Sequence, residues 1–384
     1  MTNLKSKLLS TNVVFLLISI ISWNTSTFIT RNVLTNFIIN FFLLSFLLFF
    51  FKIERKLIIQ LSFFLFFVFF NVLLHFSNGF NYFFLSQINH FIQIPIYVLF
   101  FLTFFKIYKL SYFNFINKNA FVFTLLFLLT ILMFKLKFDI YFYEFNLFMV
   151  VLLLAFSPLF KDSKLQNKYF LFLIILLIFL SSRISFIGSI LFFASLYFYQ
   201  KNIYIQLLRC LALILLIYPF LTIFFVNEDV LKIILNLDHN TYFRLQSLTL
   251  SGDLIRSDYF SIIFGKGFGY PFRDSISSDL SFLHHFNSIE SLNIIPNHNS
   301  IYDFFYRFGL VGLLPLIYII FKFLFLKQKY NAYSNSINIL TFFIIFQISF
   351  NPWVEDQNQL IMFSFLISLI ISLYKDGKKN VTNS

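Results

Sequence analysis

Three polar features interrupt an otherwise apolar chain, and each carries side chains able to do chemistry. His298 stands in PNHNSIYDFFYRFGLVGLLP, residues 296–315, where the chain enters a long apolar run. A histidine with an ordinary pKa near 6.5 is a natural general base at neutral pH; the competing reading is a polar cap on a helix at a lipid–water boundary. Arg244, in TYFRLQSL, carries a permanent charge on a planar guanidinium that can grip two phosphate oxygens at once; alternatively it is a solvated loop residue. GKGFG, residues 265–269, has the alternating glycines of a tight turn that lets backbone approach an anion. A nucleotide loop would need a strand–turn–helix frame, which this segment lacks, so a plain turn is the competing reading.

A fourth feature is Ser181-Ser182-Arg183, set between two apolar runs. The run at 169–180 rises only about 18 Å as a helix, against a hydrocarbon core of about 30 Å. Either the helix begins earlier, near Lys164, or Arg183 lies beneath the surface in a protein-lined cavity. Ionisable groups at that depth mark functional paths, and snorkelling to the interface is the alternative. No D-x-D motif occurs in the chain, and no His/Cys/carboxylate set has ligand spacing. No metal and no cofactor are therefore expected.

The elements that must position these residues are membrane spans. The chain has 384 residues, 59% hydrophobic and 12% charged, with 65 phenylalanines. Its mean hydropathy of +0.83 makes lipid the solvent for most side chains. Runs of about 20 apolar residues recur, the length a bilayer requires. About twelve spans are expected, near 8–28, 33–51, 57–75, 83–105, 119–134, 145–160, 169–182, 184–199, 203–225, 300–326, 338–350 and 359–374. The fold class is an all-α polytopic bundle. Residues 1–225 form spans one to nine, 226–299 a large polar loop, 300–374 the last three spans, and 375–384 a short polar tail. The single cysteine, Cys210, rules out a disulfide within the chain. The first apolar run lacks a small-residue cleavage site, so no cleavable signal peptide is expected.

Charge orients the bundle. With both termini inside, the inner face receives 19 of the 29 basic residues and, of the 16 acidic ones, only Glu54, Asp162 and Asp376. The net charge of +13 is thus a positive-inside signature, which removes the nucleic-acid reading. The loop at 226–299 then faces outward. It holds His239, His284, His285 and His298, four of the six histidines, with Arg244, Arg256 and Arg273. Its aromatic content suggests a folded cap, with short helices around 242–250 and 253–264. Gly309 and Gly312 are expected to admit a neighbouring helix closely, and Tyr302 and Tyr306 to join an interfacial aromatic belt.

The SSR hairpin, the loop arginine, the GxGxG-like segment and HN followed by a helix with GLVGLL together resemble the O-antigen polymerase and O-antigen ligase superfamily. The resemblance spans about residues 171–314; the first 160 match only in being spans. It implies a multi-pass protein of the bacterial inner membrane, both termini cytoplasmic. It implies a metal-independent glycosyltransferase using a glycan on undecaprenyl pyrophosphate, with a chain-length regulator protein as a possible partner. By motif position His298, Arg244 and Arg183 are the expected catalytic residues, with Arg256, Arg273, Asn299, Tyr302 and Gly267 binding substrate. The family often has a Trp shortly after its loop arginine. LQSL follows here, so Arg256 or Arg273 could take that part.

The leading expectation is a polymerase joining lipid-linked repeat units at the periplasmic face. A ligase transferring glycan to lipid A-core is the nearest rival, since it needs the same donor chemistry. A lipid-linked sugar flippase is the rival of another class. It should show broken helices with ionisable groups at depth, whereas most charges here fall at span ends.

Overall fold

A computed structural model describes residues 55–76, 87–103, 201–226, 228–237, 239–268, 299–327, 333–350 and 357–382, with a few isolated positions besides. Every regular element among them is helical: α1 (Arg55–Leu74), α2 (Gln87–Thr103), α3 (Asn202–Phe225), α4 (Glu228–Leu237), α5 (His239–Arg256), α6 (Tyr259–Phe264), α7 (Ser300–Leu324), α8 (Ser334–Phe350) and α9 (Gln357–Thr382). Two of them, α3 and α7, are long and apolar enough to cross a membrane. The helices α1, α2, α3, α7, α8 and α9 stand where six of the apolar runs were read. The runs at 8–28, 33–51, 119–134, 145–160 and 169–182 lie outside the described residues, and 184–199 is described only at scattered positions.

Contacts between helices fix their directions. Phe220, near the end of α3, meets Tyr302 and Phe305 at the start of α7. Arg209, near the start of α3, donates through Nε to the Leu324 carbonyl at the end of α7 (2.9 Å). These two helices are antiparallel. Next, α8 returns alongside, with Asn338 donating to Leu326 O (3.2 Å) and Phe350 stacked on Tyr218. Tyr374 on α9 then packs back against Phe323 and Lys322. The ends at 225, 300 and 350 share one side of the bundle, and those at 202, 324, 334 and 374 share the other. The second side carries Lys201, Arg209, Lys322, Lys327, Lys375 and Lys378.

Apolar burial holds this arrangement. Leu208, Ala212 and Leu216 on α3 join Ile301, Tyr302 and Leu313 on α7, Phe342 and Ile345 on α8, and Leu366 and Leu373 on α9 in one core. A satellite core of Val68, Phe91, Phe268 and Phe308 joins α1 and α2 to α7. The outer faces are apolar too: Ile203, Leu207, Ile214, Leu221 and Phe224 on α3, and Leu314 and Tyr318 on α7, are exposed.

Two helices contain defects, and neighbours satisfy the carbonyls these release. Proline has no N–H, so Pro219 leaves the Leu215 carbonyl without its helical partner. Ser349 Oγ stands 3.4 Å from that carbonyl and 2.7 Å from Ile345 O, so its single proton is shared between the two. The second defect is larger. Gly309 has φ 60° and ψ −159°, which breaks α7 after Phe308. Irregular backbone inside an apolar bundle persists only where other groups take its hydrogen bonds. Here Lys266 N–H donates to Tyr306 O (2.7 Å), Gly267 N–H to Arg307 O (3.1 Å), and Asn71 Nδ2 to Arg307 O (3.0 Å).

The loop between α3 and α7 differs from expectation in detail. The helix expected around 242–250 runs from His239 to Arg256 through Gly252, whose hydrogen faces Ile223; a Cβ there would lie 2.5 Å from that side chain. The amphipathic α4 was not anticipated. Asp258 caps α6, accepting from Phe260 N (2.9 Å) and Ser261 N (3.3 Å). Of the polar tail read at 375–384, residues 375–382 continue α9 as helix, and Lys378 lies near the negative end of its dipole.

Candidate functional site

The GKG segment explains the break. Gly265 and Gly267 have φ 82° and 79°, a left-handed region that glycine enters without steric cost. Their backbone lies directly on that of α7: a Cβ on Gly265 would stand 2.3 Å from the Arg307 carbonyl, and one on Gly309 2.3 Å from Ile263 O. Gly267 itself abuts the His75 ring, while Phe268 packs edge-on against both Phe91 and Phe308, which also touch each other (ring centroids 5.2, 5.3 and 5.1 Å). The amide of Gly267, expected at a substrate, is engaged by Arg307 O. The turn expected here exists, and its amides complete a broken helix.

Above the break, α7 has two unlike faces. The first points to α3, α5 and α8. Tyr302 is fully buried there, edge-on to Phe220 (5.9 Å). Tyr306 is equally buried, so neither tyrosine belongs to an outer aromatic belt. Asn299 caps the helix, its Oδ1 accepting from Tyr302 N (2.9 Å), and its Nδ2 donates to Ser349 O (3.0 Å). Arg244 Nη1 donates to the neighbouring carbonyl, Phe350 O (3.3 Å). The loop arginine and the residue following His298 therefore meet on consecutive carbonyls at the end of α8. That end carries the negative pole of the helix dipole and attracts a cation.

Arg256 is elsewhere. It lies 12 residues along α5 from Arg244, roughly 18 Å, where it pairs with Asp253 and sits over the Phe224 ring (5.7 Å). The pair is largely exposed. His298, Arg183 and Arg273 lie outside the described residues.

The second face of α7 points to α1 and α2, and sequence reasoning passed over it. Asp303 and Arg307, one turn apart and both 2% exposed, form a two-pronged ion pair: Nε to Oδ2 at 2.8 Å and Nη2 to Oδ1 at 3.0 Å. Arg307 Nη1 donates to Gln87 Oε1 on α2. Asn71 donates to the Arg307 carbonyl, and His75, Asn89 and Gln93 are further buried polar residues on or just beyond α1 and on α2. A signal was present: an acid and a base four residues apart inside an apolar run, and the unusually polar QINHFIQ at 87–93.

Chemically, the rim offers a guanidinium bonded to the Phe350 carbonyl at a helix end, suited to an anion. The inner face offers a neutralised ion pair bonded to the Gln87 amide, with the Asn71 amide on the Arg307 carbonyl. Among the described residues no group of three or more His, Cys, Asp or Glu is placed to hold a metal ion. No protein-family model, no curated protein and no solved structure matches this chain.

Proposed function

We propose that this chain is a polytopic inner-membrane glycosyltransferase that polymerises oligosaccharide units carried on undecaprenyl pyrophosphate. The observation that carries the proposal is the convergence of Arg244 and Asn299 on Ser349 O and Phe350 O. It brings the loop arginine to the foot of the segment bearing His298, two features nearly 55 residues apart. Departure of a pyrophosphate develops negative charge, which a fixed guanidinium stabilises most in the transition state. His298, which precedes Asn299 in the chain, is the base in this reading and would take the proton from the attacking sugar hydroxyl. The opposite end of the bundle gathers six cationic side chains, in keeping with a cytoplasmic location for it and a periplasmic one for the rim. The exposed apolar stripes of α3 and α7 fit lipid contact, and full multi-pass topology with both termini inside belongs to this reading.

A second reading gains from one observation. The broken α7, with an ion pair buried beside the break, is a feature of transporters whose discontinuous helices line a substrate path. A lipid-linked sugar flippase would use it. Against this, Asp303 and Arg307 lie only about 5–11 Å from the start of α7, nearer one end of the helix than its middle.

Deletion of the gene followed by gel analysis of surface glycan separates the readings. Loss of a polymerase leaves single repeat units on the acceptor. Loss of a ligase leaves none there while lipid-linked polymer accumulates. Loss of a flippase holds donor on the cytoplasmic leaflet. Arg244→Ala is expected to cut polymer formation about 10²–10³-fold and His298→Ala about 10²–10⁴-fold. Intact ladders in these and in Arg183→Ala would sink the assignment.

A further inference from the structure

The helices of the loop between α3 and α7 carry apolar side chains that the bundle does not cover. On α6, Tyr259, Phe260 and Ile263 share one arc of the helix and are exposed, Tyr259 at 86%. The opposite arc faces the protein: Ser261 is buried, and Ile262 packs against the main core. On α4 three sectors can be told apart. Asp229, Lys232 and Asn236 fall along one side, and the first two form an exposed ion pair. Leu231, Ile234 and Leu235 are half-buried, and α4 packs against α5. Ile233 stands on the remaining apolar flank and is 61% exposed.

Position decides what covers these faces. The exposed stripe of α3 runs through Ile214, Leu221, Phe224 and Phe225, and α4 begins two residues after it ends. Val226 is extended, so the chain leaves the α3 axis there. Phe224 lies under the Arg256 guanidinium, and Tyr259 follows three residues after Arg256. Phe260 in turn meets His75 (6.1 Å), the residue after α1, whose Phe66, Phe69 and Leu73 are exposed. Thus α6 joins the ends of two helices that carry exposed apolar stripes, and one of them, α3, is long and apolar enough to cross a membrane. The charges alongside are closed into pairs, Asp229 with Lys232 and Asp253 with Arg256, both exposed. Paired charge on one side and large apolar side chains on the other is the division an interfacial helix shows, and the ring of Tyr259 suits headgroup level.

We infer that α4 and α6 are interfacial helices whose exposed apolar faces dock into the headgroup–acyl boundary of the leaflet at the end of α3. The occupant is bilayer lipid, and the apolar faces enter it by roughly 5–10 Å. Two anchors then hold α5, which bears Arg244, against the surface along which a lipid-carried substrate moves. This inference rests on the membrane reading of the bundle and is independent of the chemistry at the rim.

The test uses the full chain with Trp23→Phe and Trp353→Phe, reconstituted in phosphatidylcholine vesicles. Single tryptophans are then introduced by Ile233→Trp, Tyr259→Trp, Lys232→Trp and, midway along α3, Ile214→Trp. All four positions are exposed, so the variants should elute as the native chain does on size-exclusion chromatography. Quenching is read with lipids that carry a nitroxide high or low on the acyl chain. Ile233→Trp and Tyr259→Trp should lose more emission to the shallow nitroxide than to the deep one. Ile214→Trp should show the reverse, and Lys232→Trp should respond weakly to both. Loop tryptophans quenched by aqueous acrylamide and by neither lipid overturn the inference. Shielding from acrylamide and lipid alike also overturns it, since protein would then cover the faces. If Ile214→Trp is quenched by lipid while the loop positions are not, docking alone fails; if Ile214→Trp escapes lipid too, the membrane reading fails with it.

Discussion

The two faces of α7 above its break make an instructive contrast. On one, Arg244 and Asn299 reach backbone carbonyls at the end of α8, and charge sits where a helix terminus meets the loop. On the other, Asp303 and Arg307 cancel each other inside the bundle, with the Gln87 amide on the guanidinium. A permanent charge at the rim keeps access to water and to anionic groups. A charge at depth is tolerable only when paired and hydrogen-bonded. The same residue type, arginine, thus serves an electrostatic task in one place and an architectural one in the other. The break at Gly309 marks the lower limit of both faces, and the loop that supplies Arg244 also supplies the amides that stabilise the break.

The largest expected effect removes that shared support. Gly309→Val would force a side chain into a left-handed backbone and onto the Ile263 carbonyl 2.3 Å away. Strain of this kind costs about 1–3 kcal/mol before the clash is counted. Both faces should fail together, seen as loss of folded, detergent-stable protein on size-exclusion chromatography. A variant that folds and keeps its heat resistance would mean that the break is not a fixed point of the molecule.

The next effect separates the faces. Arg307→Leu strands the Asp303 carboxylate in the interior and should cost about 3–5 kcal/mol, whereas Asp303→Leu with Arg307→Leu should recover most of it. Heat-induced unfolding of the two variants makes the measurement. Recovery in the double variant identifies the pair as a neutral strut. If the double variant is as unstable as the single one, the pair is needed for more than charge cancellation.

How much of this was legible beforehand follows from what each feature depends on. The helices at 202–225, 300–324 and 334–350 stand where apolar runs were read, because an apolar run of that length buries its backbone best as a self-bonded helix and composition reports that directly. Gly309 was read as a packing residue. It does pack closely, but its positive φ depends on amides contributed more than 40 residues earlier, which periodicity cannot reveal. GKGFG was legible as a turn and illegible as a partner of α7 for the same reason. Arg244 was singled out by residue type and loop position, and the structure adds its meeting with Asn299. The Asp303–Arg307 spacing could have been seen. Its third member, Gln87, lies 220 residues away and could not.

At the rim, Arg244→Lys should leave unfolding nearly unchanged while lowering polymer formation. A lysine can replace the charge near Phe350 O and cannot reproduce the two-pronged grip. Arg256→Ala should act still less on stability, by about 0.2–1 kcal/mol, since its pair with Asp253 is exposed and adjacent on one helix. If Arg256→Ala damages the glycan ladder more than Arg244→Ala does, the two arginines exchange roles and the rim moves along α5.

The smallest effect concerns the loop helix that leads into the GKG turn. Bonds from Ser261 Oγ and the Phe260 N–H hold the Asp258 carboxyl below its usual range. A depressed pKa in the folded state means that the cap stabilises α6 above the ordinary aspartate range and loses that contribution as pH falls through the folded value. The protection of the Ser261 and Gly265 amides, measured against their intrinsic exchange rate at each pH, should therefore fall in acid, while that of the buried α8 amides holds. Asp258→Asn keeps a capping oxygen without the titration and should flatten the acid response. An acid response that survives in Asp258→Asn would shift its origin to another group and detach the loop's pH behaviour from the cap.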